Sequence, residues 1–585
     1  MIESLRVLLI AILSFTVYAL GGAFCRADSM PPGALNAKDY GVKADGTTND
    51  VAALNTAIAA AIAKGPGTVL FLPAGTYALG ERTLLVPGLK RDSMLNIAHA
   101  DGLTIEGEPG TLLVCRDLME TIFDIEQSHK VTLRNMAFDA DPLPYTQGTI
   151  TAYDPATHSV DIQVDHGFDD IDRDDLAKMT QFRFFDNPYT TGWREDTNYP
   201  DMGNRVKLGP GKWRVSPLMA HQYDGFAPSL VGKAWMLWSR GYKGWTVHIG
   251  KSDDCLVENL MIYQAGGSAA FELLNNGDVT IRHDYIGPPA HSNRRFSGGG
   301  GAMSFFNRGT VTVEDCDFSQ IDDDGFNLGT HYVRVVEKVD PQTCRTEVWP
   351  GEFVVGDTVV LWDWKTKVER GTAKLTDAKK EKDGHWLLHF DQPLDFETVG
   401  EGNLAASHKA QAQDGIDRVT DLESAGTSIL RGNKISSMRA RCFLVKTGHS
   451  IIENNYFHDT HMPAIIAGPE FFWGEAPELR GLIIRHNTFC NVDAPNISIA
   501  TFDSPTGMAN KDVTIEDNTF LDYGRFPVVY LPHDPNGVVI QVRNTDGLKI
   551  LNNTIEPPAE GTPKINPILI ETCTNVVINP QPPVQ

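Results

Sequence analysis

Three consecutive carboxylates, Asp322, Asp323 and Asp324, stand between Ile321 and Gly325-Phe326-Asn327, one short repeat after the run Gly298-Gly299-Gly300-Gly301-Ala302-Met303-Ser304-Phe305. Like charges a few ångströms apart raise one another's pKa, so gathering them is costly and points to acid–base work. Adjacent residues on a flat strand face opposite sides, so Asp323 and Asp324 share one pocket only where the chain bends, which Gly325 permits. The competing reading is a solvated acidic corner or a calcium site, and the flanking Gly325 and Asn327 favour catalysis.

The elements around the triplet repeat. Gly309 to Phe318 alternates as a strand, placing the triplet and the glycine run on neighbouring rungs. A strand, a polar corner carrying Asn and a further strand recur at Asn259, Asn433, Asn455, Asn487, Asn518 and Asn553, the last five separated by 22, 32, 31 and 35 residues. That spacing predicts coils of a parallel β-helix, with stacked asparagines satisfying a bent backbone. An Ala-rich amphipathic helix over 51–64 would cover the open end of the stack. The fold class is all-β: a right-handed parallel β-helix with two inserted small β-barrel or sandwich domains.

The expected organisation is a signal peptide at 1–27, an N-terminal cap and first coils at 28–141, and an inserted barrel-like domain at 142–245. Coils with the candidate site follow at 246–330, then a second inserted barrel-like domain at 331–414 and C-terminal coils at 415–585. The insertions read as alternating strands broken by Asp, Pro and Gly, too long to lack structure inside a compact domain.

A net charge of −24 over 585 residues, with no basic stripe, excludes nucleic acid and anionic membrane surfaces as partners. Arg6, the apolar run Val7–Leu13 and the small residues before Ala27 predict an export signal too short to span a membrane, hence a secreted or periplasmic protein. Seven cysteines beyond residue 27 lie far apart without a CxxC pair, so buried packing is expected rather than zinc or disulfides.

The stretches Ile262-Tyr263-Gln264-Ala265-Gly266-Gly267, Arg308 to Glu314, Asp323-Asp324-Gly325-Phe326-Asn327, Arg439 to Leu444 and Phe472-Trp473-Gly474-Glu475 together resemble glycoside hydrolase family 110, exo-acting α-1,3-galactosidases within the pectate-lyase-like β-helix superfamily. The resemblance implies an inverting hydrolase of α-linked galactose or a related sugar on oligo- or polysaccharides. Asp323 and Asp324 would be acid and base in an order left open, and no cofactor and no metal would be needed. The chain departs from that family where an upstream aspartate and histidine give way to Gly300-Gly301-Ala302-Met303, so Asp322 is expected as a substitute catalytic carboxylate. A second departure, Asn327-Leu328-Gly329-Thr330, leaves Asn327 as a substrate contact.

Further substrate-binding candidates are Arg294 and Arg295 as planar donors, Arg439 and Arg441 two residues apart on one side, Trp473 as a stacking platform and Glu475 as a hydroxyl acceptor. His283, His458 and His461 are expected in corner or loop roles. Two alternatives stay open: a lyase or other uronate-acting enzyme on the same fold, and a catalytically silent carbohydrate-binding protein.

Overall fold

The computed structural model describes residues 30–579 except 84–92, 186–201, 219–220, 222, 225–226, 239–243, 266–268, 403–409, 412, 493–494, 501–508, 525–536, 557 and 559–564. The expected export signal, Gly266 and Gly267 lie outside the described residues. No described helix is long and apolar enough to cross a membrane.

The chain winds as a right-handed parallel β-helix, its strands stacked in three ladders. Two ladders merge into a 23-stranded sheet where single bent strands, Thr132–Ala140 and Cys255–Ile262, run through both, and the third ladder lies in a separate 12-stranded sheet. Helix α1, Val51–Lys64, begins the stack; Leu54, Ala57, Ile58 and Ala61 recur at helical spacing and are buried in the core.

The third ladder carries the site. The strands of it used below are β1 (Thr121–Glu126), β2 (Trp245–Gly250), β3 (Ala269–Leu274), β4 (Ala302–Phe305), β5 (Phe326–His331), β6 (Phe443–Val445) and β7 (Ile465–Ala467). All pair in parallel, with Phe271, Ala302, Phe326, Phe443 and Ile465 in one row. Packing accounts for Gly301 and Gly325. A Cβ at Gly301 would fall 2.1 Å from the Gly325 carbonyl oxygen, and one at Gly325 would fall 2.5 Å from that of Cys442, so these rungs touch backbone to backbone.

The asparagine column forms as expected. The backbone N–H and the side-chain amide of Asn433 both donate to Asn455 Oδ1, at 2.9 and 3.0 Å. The same pair of bonds repeats from Asn455 to Asn487, Asn487 to Asn518 and Asn518 to Asn553. Asn259 is not a member. It occupies the left-handed corner position at φ +53, which His283, Asp315, Asn454, His486, Asp517 and Asn552 fill on other coils. The column itself continues through Asp284 and Cys316: the Leu260 N–H donates to Asp284 Oδ1, Asp284 N–H to Cys316 Sγ, and Cys316 N–H to Asn433 Oδ1. His283 is therefore a corner residue. Five of the seven described cysteines are buried and all are free thiols, in keeping with packing.

The first insertion is a six-stranded antiparallel sheet between Tyr145 and Trp238. Its Ile150, Val160, Ile162, Phe182, Trp235 and Leu237 join the same buried cluster as the coil core. The second insertion is a closed six-stranded barrel with a core of its own. Its closing strand, Arg418–Asp421, lies beyond the expected end at 414, because Arg418–Asp421 pairs with both the first strand and Thr358–Asp363. Arg308 ties barrel to coil through Asp357 at 2.7 Å and Asp421 at 2.9 Å.

Candidate active site

The triplet occupies a bend between the bridge residue Ile321 and β5, so its three side chains diverge. Gly325 is not left-handed here; it is needed for the close approach to Cys442. Asp323 is the outward member, its side chain 36% exposed, with Arg439 Nη2 at 3.4 Å. Asp324 is 14% exposed and clasped by Arg441, whose Nε and Nη2 lie 2.7 and 3.0 Å from its two oxygens. Burial pushes the Asp324 carboxyl up to about 6, against the pull of Arg441 and with the negative charges of Asp323 and Glu470 adding to the rise.

Asp322 points the other way and is fully buried. Arg183 Nε lies 3.1 Å from both carboxylate oxygens, Trp238 Nε1–H donates to Oδ2 at 2.9 Å, and Arg439 Nε approaches Oδ1 at 3.1 Å. The expected role as a substitute base does not fit this placement. A carboxylate held by two guanidinium groups and an indole, with no surface toward solvent, has nothing left with which to orient a water.

Arg439 and Arg441 do face one side, but toward the aspartates. Both side chains are 9% exposed, and Arg439 Nε also donates to the Asp322 carbonyl at 2.5 Å. They set the charge of the acidic corner rather than offering a guanidinium to substrate. Arg294 pairs with Asp139 at 2.7 Å, and the Arg295 N–H donates to Gln147 Oε1 at 3.0 Å, so both brace the root of the first insertion. The next residue, Phe296, packs against Trp238 with the ring centroids 5.0 Å apart and the planes tilted by 44°.

C-terminal of the triplet a hairpin folds over the end of β5. Glu470 and Glu475 bridge its base, Gly474 turns it at φ +72, and His331 pairs with Glu475. Trp473 stands at its tip, 45% exposed, with Phe472 edge-on at 5.0 Å. Asn327 is held at both ends: its amide donates to Glu475 Oε2 at 3.3 Å and its carbonyl oxygen accepts from Lys446 Nζ at 2.8 Å. Lys446, fully buried, also pairs with Glu475 at 2.7 Å. Burial alone would raise the Glu475 carboxyl; Lys446 and His331 outweigh it and hold it below the usual range.

Lys446, Glu470, Arg183 and Trp238 were not expected in the site. Glu470 is 3% exposed, with Arg441 Nη2 at 3.8 Å and Lys446 Nζ at 3.7 Å, and burial raises its carboxyl against both cations. The signals were slight: a lysine ending the apolar run Phe443-Leu444-Val445, and an arginine between Phe182 and Phe184. The arrangement can hold one buried carboxyl protonated near pH 6 beside an exposed one, under an aromatic rim.

A model of the rhamnogalacturonase A/epimerase, pectate lyase-like family matches residues 34–152. An α-1,3-galactosidase A of Shewanella woodyi is 24% identical, covering 92% of this chain and 89% of that protein. The chain resembles the α-1,3-galactosidases along nearly its whole length. An α-1,3-galactosidase B of Bacteroides thetaiotaomicron is 22% identical and covers 93% of this chain and 90% of its own. The likeness to these α-1,3-galactosidases spans both insertions and the acidic corner between them. Among solved structures, the hyperthermoactive exopolygalacturonase from Thermotoga maritima aligns over 94% of this chain and 93% of its own, at 11% identity and a TM-score of 0.43.

Proposed function

We propose that the protein is a glycoside hydrolase that removes terminal α-linked galactose, or a closely related sugar, from oligo- or polysaccharides with inversion of configuration. The resemblance to α-1,3-galactosidases supports the substrate class. One observation carries the mechanism: a buried carboxyl raised to about 6, Asp324, adjoins a solvent-facing carboxylate, Asp323. In this reading Asp324 donates its proton to the leaving glycosidic oxygen. Asp323 takes a proton from a water that attacks the anomeric carbon from the opposite face, as inversion requires. Arg441 and Glu470 position and tune Asp324, Trp473 stacks on the sugar's apolar face, and the Asn327–Glu475–Lys446 group floors the pocket. Export to the periplasm or medium belongs to the same proposal and rests on residues 6–27; cell fractionation tests it.

The deciding experiment follows aryl and natural α- and β-galactosides by NMR, reading the first-formed anomer, with a uronate polymer alongside. Release of β-galactose from an α-galactoside is the expected result. Eliminative cleavage of the uronate polymer would move the protein to the lyase class, and sugar binding without turnover, which the missing carboxylate at Gly300 allows, would make it a binding module.

A further inference from the structure

On the outer face of the same ladder, away from the acidic corner, β1, β2 and β3 bring together a second group of polar side chains. Asp124 and Glu126 alternate on β1 and so face one way. His248 on β2 stands opposite Asp124 in the register, and Glu272 on β3 stands opposite His248. The His248 side chain is 8% exposed. Its Nε2 lies 3.1 Å from Glu126 Oε1 and 3.8 Å from Asp124 Oδ1, while Nδ1 lies 2.7 Å from Glu272 Oε2.

Two features separate this group from a chance acidic patch. A Cβ at Gly250 would fall 2.4 Å from Glu126 Oε1 and 2.8 Å from His248 Nε2, so the backbone is bare where those atoms meet. Asp124 Oδ1 is buried with no hydrogen-bond partner. An unpartnered carboxylate oxygen turned toward a ring nitrogen that already faces another carboxylate gives an imidazole nitrogen and two carboxylate oxygens converging on one point.

We infer that Asp124, Glu126 and His248 form a binding site for a divalent transition metal, Zn²⁺ or Mn²⁺ by class, with Glu272 fixing the histidine for it. Nε2 lies 3.1 and 3.8 Å from the two carboxylate oxygens and all three donor atoms lie within 4.8 Å of one another, so a small inward shift of the carboxylates brings them to the roughly 2.0–2.2 Å ligand distance of a bound cation. One imidazole nitrogen with two carboxylates suits borderline metals better than calcium or magnesium, which favour all-oxygen shells. The Glu272 carboxylate on Nδ1 fixes the tautomer and orientation in which Nε2 would present its lone pair to the cation. Three rungs separate His248 from Asn327, about 14 Å at ~4.8 Å per strand, so the metal braces the ladder and stays out of the hydrolytic reaction.

The test uses the full chain, stripped with chelator and desalted, carrying His221→Ala. That background removes a second chelating group, His158, His221 and Asp224, on the first insertion. Calorimetric titration with ZnCl₂ and MnCl₂ is expected to show one equivalent bound, and Zn²⁺ to raise the melting temperature. His248→Ala and Glu126→Gln should each lose binding and the Zn²⁺-induced melting shift, and Glu272→Gln should weaken binding about 10–100-fold. If His248→Ala does not fold, Glu126→Gln carries the comparison. Absence of stoichiometric binding of either metal, or unchanged affinity in the folded variants, would overturn the site and leave His248 a buried ion-paired imidazole. Neither readout involves hydrolysis, so failure here leaves the proposed activity standing.

Discussion

Arg183, from the first insertion, and Asp322, from the acidic corner, form an ion pair of 3.1 Å whose side chains are 1% and 0% exposed. It joins two parts of the chain 139 residues apart, directly beneath the pair of aspartates proposed to act on substrate.

Removing one partner strands a buried charge, so Asp322→Ala or Arg183→Met is expected to destabilise the protein by about 3–5 kcal/mol. Chemical denaturation reads this directly. A stable Asp322→Asn that loses turnover would instead return Asp322 to the role of a base.

Because the first insertion shares the coil's buried cluster and clamps Asp322, deletion of residues 142–245 is expected to abolish cooperative folding, not merely to change substrate choice. Circular dichroism melting of the deletion decides; a sharp transition near that of the intact chain would show that the insertion only walls the pocket.

Asp323→Asn and Asp324→Asn are each expected to lower kcat at least a hundredfold with melting retained, since each removes a proton-transferring group at nearly constant volume. The active form of Asp324 is protonated, so kcat/KM should fall as pH rises through about 6. Glu470 raises Asp324 by its charge, so Glu470→Gln should move that decline to lower pH. An unmoved pH profile would remove Glu470 from its positioning role.

Trp473→Ala should raise KM several-fold with little change in kcat or stability, because an exposed ring at a hairpin tip contributes to sugar stacking and not to the core. Equal KM for both proteins would place the sugar elsewhere.

Asp284 stands in the asparagine column fully buried, and desolvation raises its carboxyl well above the usual range. A raised folded-state pKa means that stability is fully present below the unfolded pKa, about 3.9, and is lost as pH rises. Asp284→Asn is therefore expected to raise the melting temperature at pH 7 and to give no gain below about pH 3.9. Equal gains at both values would show that charge is not the cause.

The coil architecture was legible because Asn433 to Asn553 return once per turn with apolar strands on either side. Asn259 misled because two neighbouring corner positions favour Asn for different reasons, one for its left-handed backbone and one for its amide. Asp284 and Cys316 hid the middle of the column. At the site, Asp323 and Asp324 could be read from their own neighbours, but Asp322 could not: its partners Arg183 and Trp238 lie 139 and 84 residues away and meet it only when the insertion packs. The barrel's last strand, four residues long, carries too little pattern to mark its own end. His248 and its carboxylates come from three coils, and no spacing in the chain links them.

In the asparagine column each backbone N–H donates forward, from the earlier coil to the Oδ1 of the later one, while the side-chain amides also donate back to carbonyls of the preceding coil, Asn455 to Leu430 and Asn487 to Ile452. As the chain leaves the ribosome, a finished coil still holds a buried N–H without an acceptor, at a cost of about 1–3 kcal/mol, until its successor arrives. Each turn is thus sealed by the one synthesised after it. Growth of the stack is polar, and a truncation between coils leaves its newest turn frayed whichever sequence that turn carries.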